Sequence, residues 1–269
     1  MAVVAALSAR TGIHVDNATG GCRAFTRAYV PAAGTSGMQI RVYDEGAAQD
    51  CLFVLGWGNR CRHRNVQWLI DQLATAYRVH AVELPTHITD YQREWVGPVQ
   101  EYAADIGRFD LLGHSAGGLT AAHLDADGIG NRVYLSPWWD SDFPVPGPVL
   151  DAIASLPMTK PFIPIDTLDA DAIGDLATTQ QLADAPSSVS PAFLRTVFRA
   201  QRSLPPARDT AAAFCSLTDT IVDPRAVGER LPADRIRLYD GGHELFSSSG
   251  REHTVETVLD ALQRGPDAL

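Results

Sequence analysis

Apolar and polar positions along the 269-residue chain alternate between two kinds of pattern. Short, mostly apolar runs such as Cys51 to Leu55 predict buried strands, and apolar residues spaced three and four apart between Val66 and Tyr77 predict a helix. The same patterns recur along the chain. Further strands are predicted at Arg78 to Leu84, Phe109 to Leu112, Arg132 to Ser136, Ala212 to Leu217 and Ile236 to Tyr239, and further helices at Val96 to Ile106, Arg225 to Leu231 and His253 to Gln263. Buried strands alternating with helices predict a mostly parallel central sheet with helices on both faces.

Two parts of the chain depart from this alternation. At the start, alternating segments at Cys22 to Tyr29 and Met38 to Asp44 flank a Pro- and Gly-containing stretch and predict a hairpin. Residues 137–210 contain 11 of the 17 prolines and only short amphipathic pieces such as Ala192 to Ser203. We therefore expect residues 1–136 and 211–269 to form one α/β core, and residues 137–210 to form an inserted helical lid.

The pentapeptide Gly113-His114-Ser115-Ala116-Gly117 lies between a predicted strand and a helical stretch. A serine at such a turn stands clear of the sheet at the positive end of the helix, where its hydroxyl can reach a bound carbonyl. The two glycines are needed because the turn brings them into close contact. We expect Ser115 to be a nucleophile.

A serine nucleophile needs a base and usually a carboxylate that orients the base. Asp219 and His243 each follow a late strand, and the carboxyl ends of parallel strands meet at one edge of the sheet. Asp223 is the alternative acid, but Pro224 follows it, which is typical of a helix cap. His114 adjoins the serine and is expected to pack beneath the site. Four other histidines are interpreted as surface or core residues, His63, His80, His87 and His123, and His253 as a solvated residue at the start of the last helix.

Stabilising the oxyanion that develops during acyl transfer requires backbone N–H donors. We expect one donor from Ala116 and the other from Trp57, in the loop after the strand Cys51 to Leu55. The Trp57 indole is a candidate substrate-binding wall, as are Trp138 and Trp139, with packing of the lid as the alternative role of all three. No His, Asp or Glu cluster has the spacing of metal ligands, so no metal and no cofactor are expected.

These features together resemble the α/β-hydrolase superfamily, and within it the esterase, lysophospholipase and monoacylglycerol lipase group. The resemblance is carried by Gly-His-Ser-Ala-Gly, Leu-Gly-Trp-Gly at 55–58, Asp219 and Gly-Gly-His at 241–243. It implies Ser115 as nucleophile, His243 as general base and acid, Asp219 as its orienting carboxylate, and Trp57 and Ala116 as the oxyanion hole. Members often carry His-Gly in the oxyanion loop, where this chain has Leu55-Gly56.

The function expected from these residues is a serine hydrolase that cleaves a small or lipid-like carboxylic ester through an acyl-enzyme on Ser115. An acyltransferase or a thioesterase would use the same site. A hydrolase-fold receptor that binds a ligand with little turnover is the alternative from another class. A serine at the turn disfavours dehalogenases and epoxide hydrolases that use an aspartate nucleophile.

Charge narrows the choice of partners. The net charge is −10, which argues against nucleic acid and anionic membranes as partners. Of the 32 acidic residues 24 are Asp, and Lys160 is the only lysine among 22 basic residues. Such a surface is typical of proteins from salt-loving organisms, whose carboxylate shells repel themselves at low salt; an ordinary acidic enzyme is the alternative interpretation.

Location and oligomeric state are the remaining expectations from the sequence. No run of 18 apolar residues occurs, so no membrane span is predicted. The N-terminal apolar stretch is short and lacks the basic start of a secretory signal, which favours a cytoplasmic protein. The sequence leaves the oligomeric state open between monomer and dimer. The four cysteines are interpreted as reduced thiols: Cys22, Cys51, Cys61 and Cys215.

Overall fold

The computed structural model describes residues 24–25, 37–44, 46–140, 147–165 and 169–269. Eight strands form one sheet in the order β1-β2-β4-β3-β5-β6-β9-β10. Their bounds are β1 (Ala24–Phe25), β2 (Gln39–Tyr43), β3 (Gln49–Val54), β4 (Tyr77–Glu83), β5 (Phe109–His114), β6 (Ile129–Leu135), β9 (Ala211–Cys215) and β10 (Ile236–Leu238).

The sheet is parallel except at one edge. β2 runs antiparallel to both β1 and β4, and every pairing from β4 through β10 is parallel. The register places Val54 of β3 beside Gly113 of β5, and His114 beside Leu135 of β6. The predicted mostly parallel sheet is confirmed. The predicted hairpin at the start is present as the β1–β2 pairing, and the rest of its first strand lies outside the described residues.

Helices cover both faces of the sheet because successive side chains of a strand point to opposite sides. On β3, Leu52 packs into a core that includes Leu119, whereas Phe53 packs into a second core that includes Leu69 and Val258. The first core contains α2 and α3, and the second contains α1 and α9. Their bounds are α1 (Arg64–Ala74), α2 (Gly97–Ile106), which a π-helical turn at Gln92–Val96 precedes, α3 (Ala116–His123) and α9 (Arg251–Arg264).

The connection between β6 and β9 consists of short elements. They are α4 (Gly147–Ala154), β7 (Ile163–Pro164), α5 (Ala170–Ile173), α6 (Thr179–Asp184), β8 (Ser188–Val189) and α7 (Pro191–Arg202). The strands β7 and β8 pair with each other, and α7 buries Phe193 and Val197 in the same core as Leu52. We call residues 137–210 the insertion; its role as a lid stays a prediction. After β9 come α8 (Arg225–Gly228) and 3₁₀ turns at Ala233–Arg235, Leu245–Ser247 and Pro266–Ala268.

The cysteines within the described residues are free and buried: Cys51, Cys61 and Cys215. Cys22 lies outside those residues. None of the helices seen in the described ranges is both long and apolar enough to cross a membrane.

Candidate active site

Ser115 lies in a sharp turn between β5 and α3. Its backbone has φ +52° and ψ −120°, a conformation that residues other than glycine rarely adopt. A Cβ atom on Gly113 would lie 2.8 Å from the Gly117 carbonyl oxygen, and one on Gly117 would collide with the Val54 carbonyl. The glycines therefore let the turn close on itself and against the end of β3, which confirms the physical reason expected for the pentapeptide.

Hydrogen bonds from neighbouring segments fix the serine backbone. The Ser115 N–H donates to the Leu135 carbonyl at 3.0 Å, and the Ser115 carbonyl accepts from the N–H of Trp138 at 3.0 Å. The turn is thus held by both the end and the continuation of β6. These bonds from the surrounding packed structure keep the Ser115 backbone in its strained conformation.

Asp219 and His243 are joined directly, Oδ2 to Nδ1, at 2.8 Å. The second carboxylate oxygen of Asp219 accepts the N–H groups of Ile221 at 2.8 Å and Val222 at 3.1 Å. An ionised carboxylate only accepts, so Nδ1 of His243 carries the proton and Nε2 is left as the acceptor. That is the protonation state a general base requires.

The environment of Asp219 keeps its carboxylate charged. Burial by itself raises the pKa of Asp219, but the facing His243 and the hydrogen bonds from His243, Ile221 and Val222 outweigh burial and leave that pKa below its usual value. Asp219 and His243 are 9% and 4% exposed, so little water screens the pair.

Asp223, the alternative acid, has a different partner. Its Oδ1 accepts the backbone N–H of Arg225 at 2.9 Å, and the Arg225 guanidinium lies 3.0 Å away, next to the start of α8. The Arg225 hydrogen bond lowers the pKa of Asp223. The structure thus brings Asp219 to His243 and leaves Asp223 beside α8.

Ser115 lies at the same edge of the sheet as the Asp219–His243 pair. The rings of His243 and of His114, the neighbour of Ser115, have centroids 5.0 Å apart. Within the described ranges, the Ser115 hydroxyl makes no hydrogen bond to His243. Catalytic hydrogen bonds are often long in free enzymes and shorten when substrate binds.

The loop after β3 forms a tight turn beside the serine. The Asn59 N–H donates to the Gly56 carbonyl at 3.0 Å, with Trp57 and Gly58 in the central positions. Gly58 has φ +86°, as a type II turn requires at its third residue. The Trp57 amide has no hydrogen-bond partner in the described part of the chain, and Ala116, as first residue of α3, has no intrahelical one. We call residues 56–59 the oxyanion turn.

The three candidate substrate-binding tryptophans separate into two groups. The Trp57 ring stacks on Phe193 of the insertion, with centroids 4.9 Å apart, and Trp138 lies 6.4 Å from the same ring. Trp139 packs edge-on against Tyr134 at 5.0 Å and is buried. The structure therefore places Trp57 and Trp138 against the same residue of the insertion and Trp139 in a separate contact; their substrate role stays a prediction.

A buried polar cluster that the sequence analysis missed lies beside the oxyanion turn. The Asn59 amide contacts His114 Nδ1 at 3.1 Å and Glu244 Oε1 at 2.8 Å, and Gln181 of α6 donates to Glu244 Oε2 at 3.0 Å. We call these four residues the polar cluster. The one signal in the sequence was a polar residue close to each expected site residue: Asn59 two positions after Trp57, His114 directly before Ser115, and Glu244 directly after His243.

Three other histidines have partners away from the Asp219–His243 pair. His63 contacts Asp184, His80 lies between Asp50 and Tyr102, and His123 contacts the Ala200 carbonyl. Among the residues the structure describes, no group of three or more His, Cys, Asp or Glu side chains is placed to hold a metal ion.

The model of the Alpha/beta hydrolase family matches residues 51–258, which span the serine turn, Asp219 and His243. No curated protein sequence matches the chain.

Solved structures share the fold at low sequence identity. A monoacylglycerol lipase from Paleococcus ferrophilus superposes with a TM-score of 0.63 at 18% identity, over 84% of this chain and 98% of that one. A soluble variant of monoglyceride lipase from Saccharomyces cerevisiae, in complex with a substrate analog, gives 0.64 at 14% identity, over 86% and 93%. An esterase from Rhodococcus sp. ECU1013 gives 0.55 at 18% identity, over 84% and 96%.

Proposed function

Because this chain belongs to the α/β-hydrolase family, we propose that it is a serine hydrolase that cleaves carboxylic esters through an acyl-enzyme on Ser115. The observation that carries the proposal is the 2.8 Å hydrogen bond between Asp219 and His243 at the edge of the sheet where Ser115 stands in a strained turn. A hydrolase-fold protein that only binds a ligand does not need this pairing, and a dehalogenase or epoxide hydrolase would carry an aspartate in place of Ser115.

In the proposed mechanism, His243 Nε2 takes the proton of the Ser115 hydroxyl as its oxygen attacks the ester carbonyl. Asp219 holds the imidazole and stabilises the imidazolium that forms. The N–H groups of Trp57 and Ala116 donate to the oxyanion. The imidazolium then gives its proton to the leaving alcohol. Water, deprotonated by His243, attacks the acyl-enzyme, and the imidazolium returns this proton to the Ser115 oxygen as the acid is released.

The proposed substrate is a small or lipid-like ester. The structural relatives are described as a monoacylglycerol lipase, a monoglyceride lipase and an esterase, and each of these names denotes an ester-cleaving enzyme. Trp57 lies in the oxyanion turn, the Trp138 N–H donates to the Ser115 carbonyl, and both tryptophan rings lie against Phe193 of the insertion. The aromatic surface favours an apolar acyl group.

Reaction with a fluorophosphonate tests the nucleophile, because this reagent phosphonylates a serine that a base has activated. We expect an adduct on Ser115, located by mass spectrometry in dilute buffer and in several molar salt, and its absence in His243→Ala. Ser115→Ala should remove turnover of a short activated ester while leaving the thermal unfolding midpoint nearly unchanged. A folded wild-type protein without an adduct would contradict the proposal and favour the receptor alternative.

Adding an alcohol or thiol to the ester assay distinguishes hydrolysis from acyl transfer. A hydrolase should release free acid as its main product at all acceptor concentrations. Dominant formation of the new ester or thioester would identify an acyltransferase that uses the same Ser115 intermediate. Faster turnover of thioesters than of matched oxygen esters would identify a thioesterase.

A further inference from the structure

We propose that Asn59 is a positioning residue, which holds the Trp57 amide in place by tying the oxyanion turn to the serine turn and to the histidine loop. This inference rests on the proposed function of Ser115 and His243. Asn59 touches no reacting atom. It acts through the backbone of Trp57, two residues before it.

The contacts of Asn59 join the three segments that would carry the chemistry. Its side chain is buried and bonds to His114, adjacent to Ser115, and to Glu244, adjacent to His243. Its own N–H closes the oxyanion turn on the Gly56 carbonyl at 3.0 Å. A single amide therefore fixes the distances between the expected oxyanion donor, the nucleophile and the base.

Donor and acceptor chemistry sets the orientation of this amide. Glu244 also accepts the Gln181 amide at 3.0 Å and the Ser247 hydroxyl at 2.5 Å, so its oxygens act as acceptors. The NH₂ group of Asn59 then faces Glu244, and its Oδ1 faces His114, which donates through Nδ1. Burial lowers the pKa of His114 well below its usual value, and the neighbouring His243 lowers it further. A neutral His114 with this single proton on Nδ1 fits the arrangement.

The packing around Asn59 leaves little room for the turn to move. A Cβ atom on Gly56 would lie 2.5 Å from His114 Nδ1 and 2.7 Å from Asn59 Oδ1. Both ends of the oxyanion turn therefore rest on His114. If the Asn59 side chain loses its partners, the Trp57 N–H between those ends is no longer held relative to Ala116. Misplacement of such a donor reduces the stabilisation of the oxyanion more than the binding of the substrate.

Asn59→Asp tests the role with almost no change in volume. It places a carboxylate oxygen against Glu244 and should lower kcat for an activated ester by about tenfold or more, with KM within about twofold. Affinity for a boronic acid, which forms a tetrahedral adduct with the serine, should fall by a factor similar to kcat. Affinity for the carboxylic acid product should change little.

Combining Asn59→Asp with Glu244→Gln restores the pair with donor and acceptor exchanged. The new amide at position 244 can donate to the new carboxylate at position 59 and still accept from Gln181 and Ser247 through its oxygen. Most of the lost kcat and boronic acid affinity should return. Asn59→Ala gives the same loss without a new charge and cannot be rescued by Glu244→Gln.

Asn131→Ala is the matched control. Asn131 donates to the Leu262 carbonyl at 2.7 Å, away from the serine turn, so its loss should leave kcat at the wild-type value. Wild-type kcat in Asn59→Ala, which cannot keep the bond to Glu244 through a shared proton as Asn59→Asp can, would overturn the role of Asn59. A loss in Asn59→Asp that the double variant fails to recover, or an equal loss of product and boronic acid affinity, would overturn it as well. Ser115 labelling and turnover of the wild type are measured first, because their absence would overturn the proposed function itself.

Discussion

At the scale of single residues, the contacts of two aspartates four positions apart separate their roles. Asp219 uses both oxygens at once, one for the His243 imidazole and one for two backbone N–H groups. Asp223 bonds to Arg225 at the surface. Only Asp219 can set which imidazole nitrogen of His243 carries the proton, because Asp223 is committed to another partner.

Asp219→Asn should therefore lower kcat by roughly 10³- to 10⁴-fold, as expected when the orienting carboxylate becomes an amide that can impose the wrong tautomer. Asp223→Asn should change kcat by less than about threefold, since an exposed ion pair contributes roughly 0–1 kcal/mol. Steady-state hydrolysis of an activated ester by both variants measures the difference. The reverse ranking would transfer the role to Asp223.

The sequence indicated some of these residues and not others for a physical reason. Ser115 and His243 stand in local patterns, a glycine-flanked turn and a loop after a strand, and Pro224 beside Asp223 favoured Asp219. Asn59 and Glu244 bond across 185 residues of sequence. A contact of that separation depends on the assembled fold, and no local pattern predicts it.

At the scale of elements, the serine turn depends on two glycines with no space beside them. A Cβ atom on Gly117 would meet the backbone carbonyls of Val54, the last residue of β3, and of Leu55, which follows it. Gly228, at the end of α8, has nothing within 4 Å of the same position and a backbone that other residues adopt. Replacing each glycine by alanine therefore distinguishes two effects. Both substitutions restrict the unfolded backbone, but only the one at Gly117 also creates a steric clash in the folded protein.

Gly117→Ala should destabilise the protein by about 1–3 kcal/mol because the added methyl group presses on backbone atoms. Gly228→Ala should be neutral or slightly stabilising, since it restricts the unfolded chain without a clash. Thermal unfolding midpoints of the two variants provide the comparison. An unchanged midpoint in Gly117→Ala would mean that the turn has more room than its contacts indicate.

Elements with a strong apolar pattern were predicted within a few residues. The run Cys51 to Leu55 became β3 at Gln49–Val54, and the predicted helix at Ala192 to Ser203 became α7 at Pro191–Arg202. The predicted helix at Val96 to Ile106 begins as a π-helical turn, and the two-residue strands β7 and β8 were not anticipated. Such short or irregular pieces are stabilised by tertiary contacts, which the pattern of apolar residues does not contain.

At the scale of the whole molecule, two electrostatic effects oppose each other. The net charge of −10 repels itself and favours expansion of the chain. Exposed Asp–Arg pairs act in the other direction: Arg62–Asp184, Arg202–Asp151, Arg208–Asp125 and Arg264–Asp260. Each such pair contributes roughly 0–1 kcal/mol to the stability of the folded state. We therefore expect the repulsion among the ten surplus acidic charges to outweigh the stabilisation by these pairs.

Added salt should therefore raise the thermal unfolding midpoint at pH 7.5, because it screens the repulsion more than it weakens the few pairs. A series of potassium chloride concentrations from about 0.05 M to 3 M measures the effect. The matched control is the same series near pH 5.2, where the calculated isoelectric point places the net charge close to zero. Charge repulsion predicts a steep rise at pH 7.5 and a much smaller one near the isoelectric point. Equal slopes at both pH values would instead assign the effect to general exclusion of salt from the protein surface, and a flat response at pH 7.5 would contradict the interpretation of the acidic surface as an adaptation to salt.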